Sequence, residues 1–417
     1  MELKRVVVTG LGALTPIGNT VEETWAAMQA GVSGSAPITH FDASKSKTRF
    51  ACEVKGFDPA SFIDRKELRK LDAYLQYALQ SAREAMKDAG FDMEKEDKDR
   101  MGVIWGTGMG GLRTFEDGMI DFGRGDGTPY FSPFFLPKVI CDMSAGQLSI
   151  QYGLRGPNYV TLSACASSSH AIADAFNLIR LGKADVMMTG GSEAAITVAG
   201  IGCFNSMHAL SQHNDSPATA SRPFSGSRDG FVLGEGAACL ILEEYEHAVG
   251  RGAKIYAELA GAGMTADAYH MTAPDPEGRG ALRVMQEALL DGGIRPEDVD
   301  YINTHGTSTP LGDISELKAI AGLFGEHTYK MNLSSTKSMT GHLLGATGAV
   351  EALATVLSIK HGIVPPTINH EDGDDDPQID YRLNFTFGKA QERDIRYALS
   401  NTFGFGGHNA SLLFKKI

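Results

Sequence analysis

Long apolar runs are missing from this sequence. Nowhere do about 18 apolar residues follow one another, which is the length that a membrane-spanning helix needs. Near the amino terminus the apolar run Val6–Val8 is much shorter than the roughly seven residues of a secretion signal. We therefore expect neither a membrane span nor a secretion signal.

Cysteine and positive charge are also scarce. The five cysteines are scattered, odd in number and lack a C-x-x-C pair, which is typical of reduced thiols and predicts a cytoplasmic protein. They and the twelve histidines show no metal-ligand spacing, so no metal site is predicted. Lys and Arg number 38 against 51 Asp and Glu, and this net charge of −13 argues against nucleic acid as a partner.

Glycine, by contrast, is abundant, with 49 of 417 residues, or roughly 12% against a usual ~7%. The glycines cluster at the ends of apolar segments, where they permit the tight turns and close backbone approaches that ligand clefts require. The clusters are Gly106–Gly111, Gly190–Gly191, Gly234–Gly236, Gly345–Gly348 and Gly404–Gly407.

Strand-like and helix-like segments alternate along the chain. The helical spacing of apolar residues in Ala166–Leu181, between two short apolar runs, predicts a strand–helix–strand unit and an α/β fold. The polar segment 243–255 is the best boundary between two similar lobes, 1–250 and 251–417. Strands are predicted at 5–9, 101–105, 159–162, 185–189, 237–243 and 299–303, and further helices at 280–291, 313–324 and 345–361.

Two glycine-rich turns resemble dinucleotide-binding turns. Gly106–Gly111 matches G-x-G-x-x-G, and Gly10–Gly12 follows the first predicted strand. A pyrophosphate needs a helix directly after such a turn. The segment up to Asp126 shows no clean helical period, and Pro16 and Gly18 interrupt the other candidate. We therefore predict no dinucleotide site.

Cys165 lies in Thr161–His170, at a predicted strand-to-helix junction. The free N–H groups and dipole of a helix amino terminus favour thiolate, so the pKa of this thiol is expected to be lowered. The neighbours of Cys165 are small and leave room for an acyl group. An inert core cysteine is the alternative interpretation, but a sharp turn that aims the sulfur into a cleft favours a nucleophile.

Two other turns rich in glycine, serine and threonine carry histidines. His305 follows the strand predicted at 299–303, and Lys337 and His342 precede the helix predicted at 345–361. Ligand sites in open α/β sheets cluster at the carboxyl ends of strands. Either histidine alone is also explained as a structural hydrogen-bonding residue, but their shared setting favours a function for the pair.

Four segments together resemble the signature segments of the β-ketoacyl-acyl carrier protein synthases: Thr161–His170, Thr304–Pro310, Lys337–His342 and Asn401–Asn409. The similarity covers essentially the whole chain, and the length and ending most resemble the elongating synthase II subfamily. The resemblance implies a thiolase-like fold, with two related α/β halves in a five-layered αβαβα core, paired as a homodimer. It also implies elongation of fatty acids by decarboxylative condensation of malonyl-acyl carrier protein.

The resemblance assigns the chemical roles. Cys165 carries the acyl group as a thioester, and the N–H groups of Cys165 and Phe405 hold the oxyanion. Neutral His305 and His342 stabilise the enolate that decarboxylation leaves, while Lys337 holds the charge and geometry of the site. No cofactor is expected, because the carrier protein brings its own phosphopantetheine.

Further roles follow from the same resemblance. Thr307 and Thr309 bind the phosphopantetheine arm, Phe405 moves as a gate, and Met109 lines the acyl pocket. We suggest Glu351 as the partner of Lys337. The other residues implied are Phe403 in substrate binding, and Asp267 with His270, which organise water near the departing carboxylate.

A basic face predicts a protein substrate. The segment Arg65–Tyr74 is predicted to be a helix, with four cations within an arc of ~140° opposite its leucines: Arg65, Lys66, Arg69 and Lys70. On so acidic a chain this face fits a dock for the acidic acyl carrier protein, and a merely solvated helix face is the alternative. His208 stands where the family often places another basic residue.

Several alternatives stay open on the sequence. A synthase I-type enzyme or a polyketide ketosynthase differs in chain-length preference. A papain-like Cys-His thioester hydrolase releases free acid and leaves one histidine and the lysine unused. A biosynthetic thiolase needs a second cysteine near the carboxyl end, whereas none follows Cys239. A non-catalytic chain-length factor lacks the nucleophile, whereas Cys165 is present.

Overall fold

The computed structural model describes residues 3–417. Its strands are β1 Val6–Leu14, β2 Ala36–Pro37, β3 Phe50–Ala51, β4 Met101–Gly106, β5 Asn158–Thr161, β6 Val186–Glu193, β7 Gly236–Glu244, β8 Ala257–Ala266, β9 Tyr301–Asn303, β10 Asn332–Ser334, β11 Ile363–Val364, β12 Gln391–Glu392, β13 Tyr397–Gly404 and β14 His408–Lys415. Its α-helices are α1 Val21–Ala30, α2 Arg65–Leu68, α3 Ala73–Ala89, α4 Leu112–Arg124, α5 Phe135–Val139, α6 Met143–Tyr152, α7 Ser167–Arg180, α8 Val198–Ser206, α9 Tyr245–Gly250, α10 Arg279–Asp291, α11 Pro310–Phe324, α12 Lys337–Thr340 and α13 Thr347–His361.

Ten strands form the main sheet, which contains the same strand order twice. The first run is β1-β7-β6-β4-β5 and the second is β8-β14-β13-β9-β10. In each run the first two neighbour pairs are antiparallel and the last two are parallel. Val6–Val8 of β1 pairs with residues 257–259 of β8 and joins the two runs. The chain thus repeats one topology, although the exact residue at which the lobes divide stays a prediction.

Helices lie between the two runs of strands and on both outer faces. α7 and α13 contact each other and both runs, so they form the central layer. α3 and α6 cover the outer face of the first run, and α10 covers that of the second, with α11 packed against α10. Three separate clusters of buried apolar residues fill the spaces between these layers. The resulting α-β-α-β-α layering is the predicted thiolase-like fold.

The two turns that resemble dinucleotide-binding turns, Gly10–Gly12 and Gly106–Gly111, contribute to packing rather than to phosphate binding. A Cβ on Gly12 would lie 1.8 Å from the carbonyl oxygen of Ser81, so this glycine lets α3 lie directly against β1. The expectation that no helix follows Gly106–Gly111 is wrong, because α4 begins directly after Gly111. The N–H groups of Gly108 and Met109 already donate to the buried Glu193 carboxylate, so they are not available to a pyrophosphate.

The continuous helix predicted over 65–74 is also wrong. α2 ends at Leu68, and α3 starts at Ala73 after the capping residue Asp72. The Asp72 carboxylate accepts hydrogen bonds from the Tyr74 N–H and, across the fold, from the Thr114 hydroxyl at 2.5 Å. This tertiary contact fixes the cap and separates the two helices.

In the part of the chain that the structure describes, no helix has the length and apolar character required to cross a membrane.

Candidate active site

The sequence-predicted chemical residues meet at one cavity. It has a volume of about 630 Å³ and is lined from both lobes. The predicted residues on its walls are Cys165, His305, His342, Phe405, Phe403, Met109, Thr307, Thr309, Asp267 and His208. Lys337 lies behind the wall, fully buried, and donates to the carbonyl oxygen of His305 at 2.5 Å.

A sharp turn places Cys165 at this cavity. β5 ends at Thr161 and α7 begins at Ser167, as the sequence predicts. Between them Ala164 adopts a φ of +51°, in the left-handed region that costs free energy for any residue except glycine. The turn leaves the Cys165 Sγ 3.0 Å from Nε2 of His342.

The pKa of the Cys165 thiol is raised, and the expected lowering is wrong for the resting enzyme. Burial is the main cause and raises this pKa to about 11. The positive charge of Lys337 and the backbone N–H groups of Phe405 and Cys165 act in the opposite direction. The start of α7 does not compensate for desolvation, so the thiol needs a base to lose its proton.

His305 and His342 form a perpendicular pair with ring centroids 5.4 Å apart. Burial, followed by the positive charge of Lys337, lowers the pKa of both rings well below the ordinary value. Both are therefore neutral at pH 7. Nδ1 of His342 lies 2.9 Å from the Thr347 hydroxyl, which can accept or donate a proton, so either neutral tautomer of His342 fits.

The suggested contact between Lys337 and Glu351 is present. Lys337 Nζ donates to the Glu351 carboxylate, and both side chains are buried. Burial raises the pKa of Glu351, and the charge of Lys337 opposes that rise. The pair therefore keeps a positive charge beside the histidines without leaving it unpaired in the interior.

Two buried glutamates also hold the site, and sequence analysis missed both. Glu316 of α11 accepts the N–H groups of His305 and Gly306, each at 2.8 Å. Glu193 ends β6 and accepts N–H groups from the Gly108–Met109 turn and from Gly345. The sequence offered one signal for them, a carboxylate among apolar residues. Glu316 lies on the apolar side of a helix, and Glu193 lies at the end of an apolar strand.

The Gly404–Gly407 turn lies against the nucleophile. A Cβ on Gly404 would lie 2.8 Å from the carbonyl oxygen of Ser163, and Gly406 and Gly407 have φ values of +87° and +74°. Asp267 is tied to this turn, because its N–H donates to the carbonyl oxygen of Gly407 at 2.9 Å. Its carboxylate accepts the Asn409 side-chain amide at 2.7 Å.

His270 is not brought to the cavity, which corrects its predicted place among the substrate-binding residues. It is exposed, and its Nδ1 accepts the N–H groups of Thr272 and Ala273, both at 3.1 Å. The ring therefore stabilises the turn that follows it. Thr307 and Thr309 do line the cavity, with their hydroxyl oxygens 2.9 Å apart.

The predicted basic face is smaller than the sequence indicates. Arg65, Lys66 and Arg69 are exposed and have no acidic partner in the described residues. Lys70 is half-buried and pairs with Glu67 at 2.7 Å. Three free cations therefore remain beside α2.

Comparisons with known proteins agree with this geometry. Residues 3–248 match the family model "Beta-ketoacyl synthase, N-terminal domain", and residues 256–371 match the corresponding C-terminal domain. A 3-oxoacyl-[acyl-carrier-protein] synthase 2 from Synechocystis sp. is 50% identical over 100% of this chain and 99% of its own length. A 3-oxoacyl-[acyl-carrier-protein] synthase 2 from Staphylococcus aureus is 51% identical over 99% of this chain and 98% of its own length.

One solved structure is similar to this chain over its whole length. It is a ketosynthase of a type II polyketide synthase, in complex with its acyl-carrier protein and bound to a hexaketide. It is 34% identical, covers 100% of both chains and superimposes with a TM-score of 0.90. Together the matched domains and full-length relatives show that the chain belongs to the β-ketoacyl synthase family.

Proposed function

We infer that the chain is an elongating 3-oxoacyl-[acyl-carrier-protein] synthase of fatty acid synthesis. It joins malonyl-acyl carrier protein, with loss of carbon dioxide, to an acyl group held on Cys165. The observation that carries this inference is the meeting of Cys165 with two neutral histidines in one cavity. A hydrolase would leave His305 and Lys337 without a role.

The first half-reaction transfers the acyl group. The Cys165 sulfur attacks the carrier thioester, the new S–C bond forms, and the carrier thiol leaves. Nε2 of His342, at 3.0 Å, takes the thiol proton and returns it to the departing thiolate. The N–H groups of Cys165 and Phe405, which lower the thiol pKa against the larger effect of burial, hold the oxyanion.

The second half-reaction forms the carbon–carbon bond. Malonyl thioester loses carbon dioxide, and the electron pair of the broken bond becomes an enolate. N–H groups of His305 and His342 hold the enolate oxygen. The enolate carbon attacks the acyl carbonyl, and the Cys165 thiolate leaves and takes up a proton from solvent. Burial keeps both rings neutral, and Lys337 supports this step because its positive charge lowers the pKa of both rings further.

The direct test supplies purified enzyme with malonyl carrier and acyl carriers of graded length. Released carbon dioxide and 3-oxoacyl product, in equal amounts, are the expected result. Free fatty acid without carbon dioxide would identify a thioester hydrolase instead. The profile of accepted lengths also separates the elongating enzyme from the synthase I and polyketide alternatives.

We propose the three free cations beside α2 as the carrier dock. Changing Arg65, Lys66 and Arg69 to alanine should raise KM for carrier-bound substrate by ~10-fold at low salt, since unlike charges steer association. The value of kcat and the thermal unfolding should not change. The matched control removes three exposed cations elsewhere: Lys183, Lys360 and Lys389. An equal effect of both triple variants on KM would overturn the assignment.

We also propose that two copies of the chain pair as a homodimer. β5 is the edge strand of its run, and three side chains on it or beside it are exposed and apolar: Tyr159, Leu162 and, on the contacting helix α6, Ile150. An uncovered edge strand within such a patch is covered most directly by its own symmetry mate. Sedimentation at the mass of two chains is expected, and the mass of one chain would contradict the pairing.

The cytoplasm is the proposed compartment, since all five cysteines are unpaired. Cell fractionation checks it, and enzyme found outside the cytoplasm would contradict it. That no cofactor is needed also stays a prediction. Activity that survives dialysis against EDTA would support it, and loss that added metal restores would refute it.

A further inference from the structure

Glu193 is a buried carboxylate that the chemistry described above does not use. Its side chain ends β6 and is fully buried. One oxygen accepts the N–H groups of Gly108 at 2.7 Å and Gly345 at 3.0 Å, and the other accepts the N–H of Met109 at 3.0 Å. Charge-assisted hydrogen bonds of this kind are about twice as strong as neutral ones.

The three donors belong to two different walls of the cavity. Gly108 and Met109 line it from the first lobe. Gly345 follows directly on Leu344, which lines it from the second lobe together with His342. One carboxylate therefore joins the wall beside the acyl-accepting sulfur to the turn that carries a catalytic histidine.

The two walls approach each other too closely for side chains. A Cβ on Gly345 would lie 2.2 Å from the Gly108 nitrogen, and one on Gly108 would lie 2.8 Å from a Glu193 oxygen. Leu344 adopts a φ of +47°, a strained conformation that persists only where its surroundings hold it. The bond from the Gly345 N–H to Glu193 is one such constraint.

We propose that Glu193 is a positioning residue that sets the acyl lengths Cys165 accepts, by fixing Met109 against the turn of His342. Met109 lines the cavity, so a shift of its backbone changes the volume that is free for the acyl chain. Because the same carboxylate holds Gly345, the shift also reaches the histidine. This role rests on acyl transfer to Cys165, the proposed first half-reaction.

The charge of Glu193 supplies an independent signature. Burial raises the pKa of this carboxyl to about 7, and its negative charge contributes to the raised pKa of the Cys165 thiol. Removing the charge should therefore shift Cys165 alkylation by iodoacetamide to lower pH. A buried carboxylate remote from Cys165 would leave this profile unchanged, so the profile reports the proximity of the Glu193 charge to the sulfur and the length ratio reports its positioning role.

The test replaces Glu193 by glutamine. Whichever way the amide points, its NH2 group faces at least one of the three N–H donors. That hydrogen bond is then lost, and at least one cavity wall is no longer held in place. The ratio of kcat/KM for the longest to the shortest accepted acyl carrier should change by ~10- to 100-fold, since displacements of about 1 Å at a site have effects of this size. The ratio is independent of the amount of folded enzyme.

Glu84 offers a matched control. It is also a largely buried carboxylate that accepts two backbone N–H groups, from Ala13 and Val21, each at 2.8 Å, and it does not line the cavity. Glu84→Gln should lower thermal stability without altering the length ratio or the alkylation profile. If Glu193→Gln fails to fold, Glu193→Asp decides by the same ratio, because it keeps the charge but shortens the reach.

The outcomes separate the two proposals. Wild-type enzyme that forms no acyl-enzyme on Cys165 would refute the half-reaction on which this role rests. Wild-type activity together with a Glu193→Gln variant that keeps the wild-type length ratio would refute only the role of Glu193. A changed ratio with a shifted alkylation profile supports it.

Discussion

Replacing Cys165 by glutamine is expected to abolish condensation while malonyl decarboxylation continues. The variant has no sulfur to carry the acyl group, so 3-oxoacyl product should fall by ~10⁴-fold or more. The neutral amide fills the space of an acylated cysteine, and its oxygen can accept the N–H of Phe405. His305 and His342 keep their positions and their neutrality, and they are the groups that decarboxylation needs.

Carbon dioxide release from malonyl carrier and 3-oxoacyl product are measured in the same sample. Cys203→Gln is the matched control, because Cys203 is an exposed cysteine on α8 that does not line the cavity. It should retain both activities. If Cys165→Gln loses decarboxylation together with condensation while remaining folded, the assignment of acyl transfer to the sulfur and of decarboxylation to the histidines is wrong.

Alanine at either histidine should reduce decarboxylation by ~100-fold or more, which is the usual effect of losing one oxyanion donor. The two variants should differ in the first half-reaction. His342 lies 3.0 Å from the Cys165 sulfur and takes its proton, so His342→Ala should also slow acylation. The contacts of His305 involve the His342 and Phe403 rings rather than the sulfur, so His305→Ala should acylate normally.

Labelled acyl carrier measures acyl-enzyme formation, and labelled malonyl carrier measures carbon dioxide. His361→Ala, at an exposed histidine that ends α13 and does not line the cavity, is the control and should change neither rate. Acylation that is slowed equally in the His305 and His342 variants would contradict the assignment of the base to His342.

The sequence was sufficient to predict which residues meet at the candidate active site. Cys165, His305 and His342 each lie in a turn rich in small residues beside an apolar segment, and such turns mark strand ends. The alternation of strand-like and helix-like segments predicted an α/β fold, and the family resemblance implied its five layers. The bounds of α7 and α10 differ from the predicted ones by one residue at most. The ends of α11 and α13 also match their predictions, whereas α11 begins earlier, at Pro310, and α13 begins later, at Thr347.

What the sequence did not reveal depends on tertiary contacts. The raised pKa of Cys165 results from burial, which local spacing does not show. The break between α2 and α3 depends on the bond from Asp72 to Thr114, which are far apart along the chain. Glu193 and Glu316 accept mainly backbone N–H groups, so no basic partner side chain identifies them.

The proposed condensation requires Cys165 to work beside two uncharged imidazoles. NMR titration of labelled histidines, with signals assigned from the two alanine variants, tests it most directly. His305 and His342 should stay neutral as the pH falls through ~6.5, the ordinary pKa of histidine. The unfolded chain then binds protons that the folded protein does not, so stability should fall with pH below that value. Protonation of either ring at or above pH ~6.5 would contradict the account.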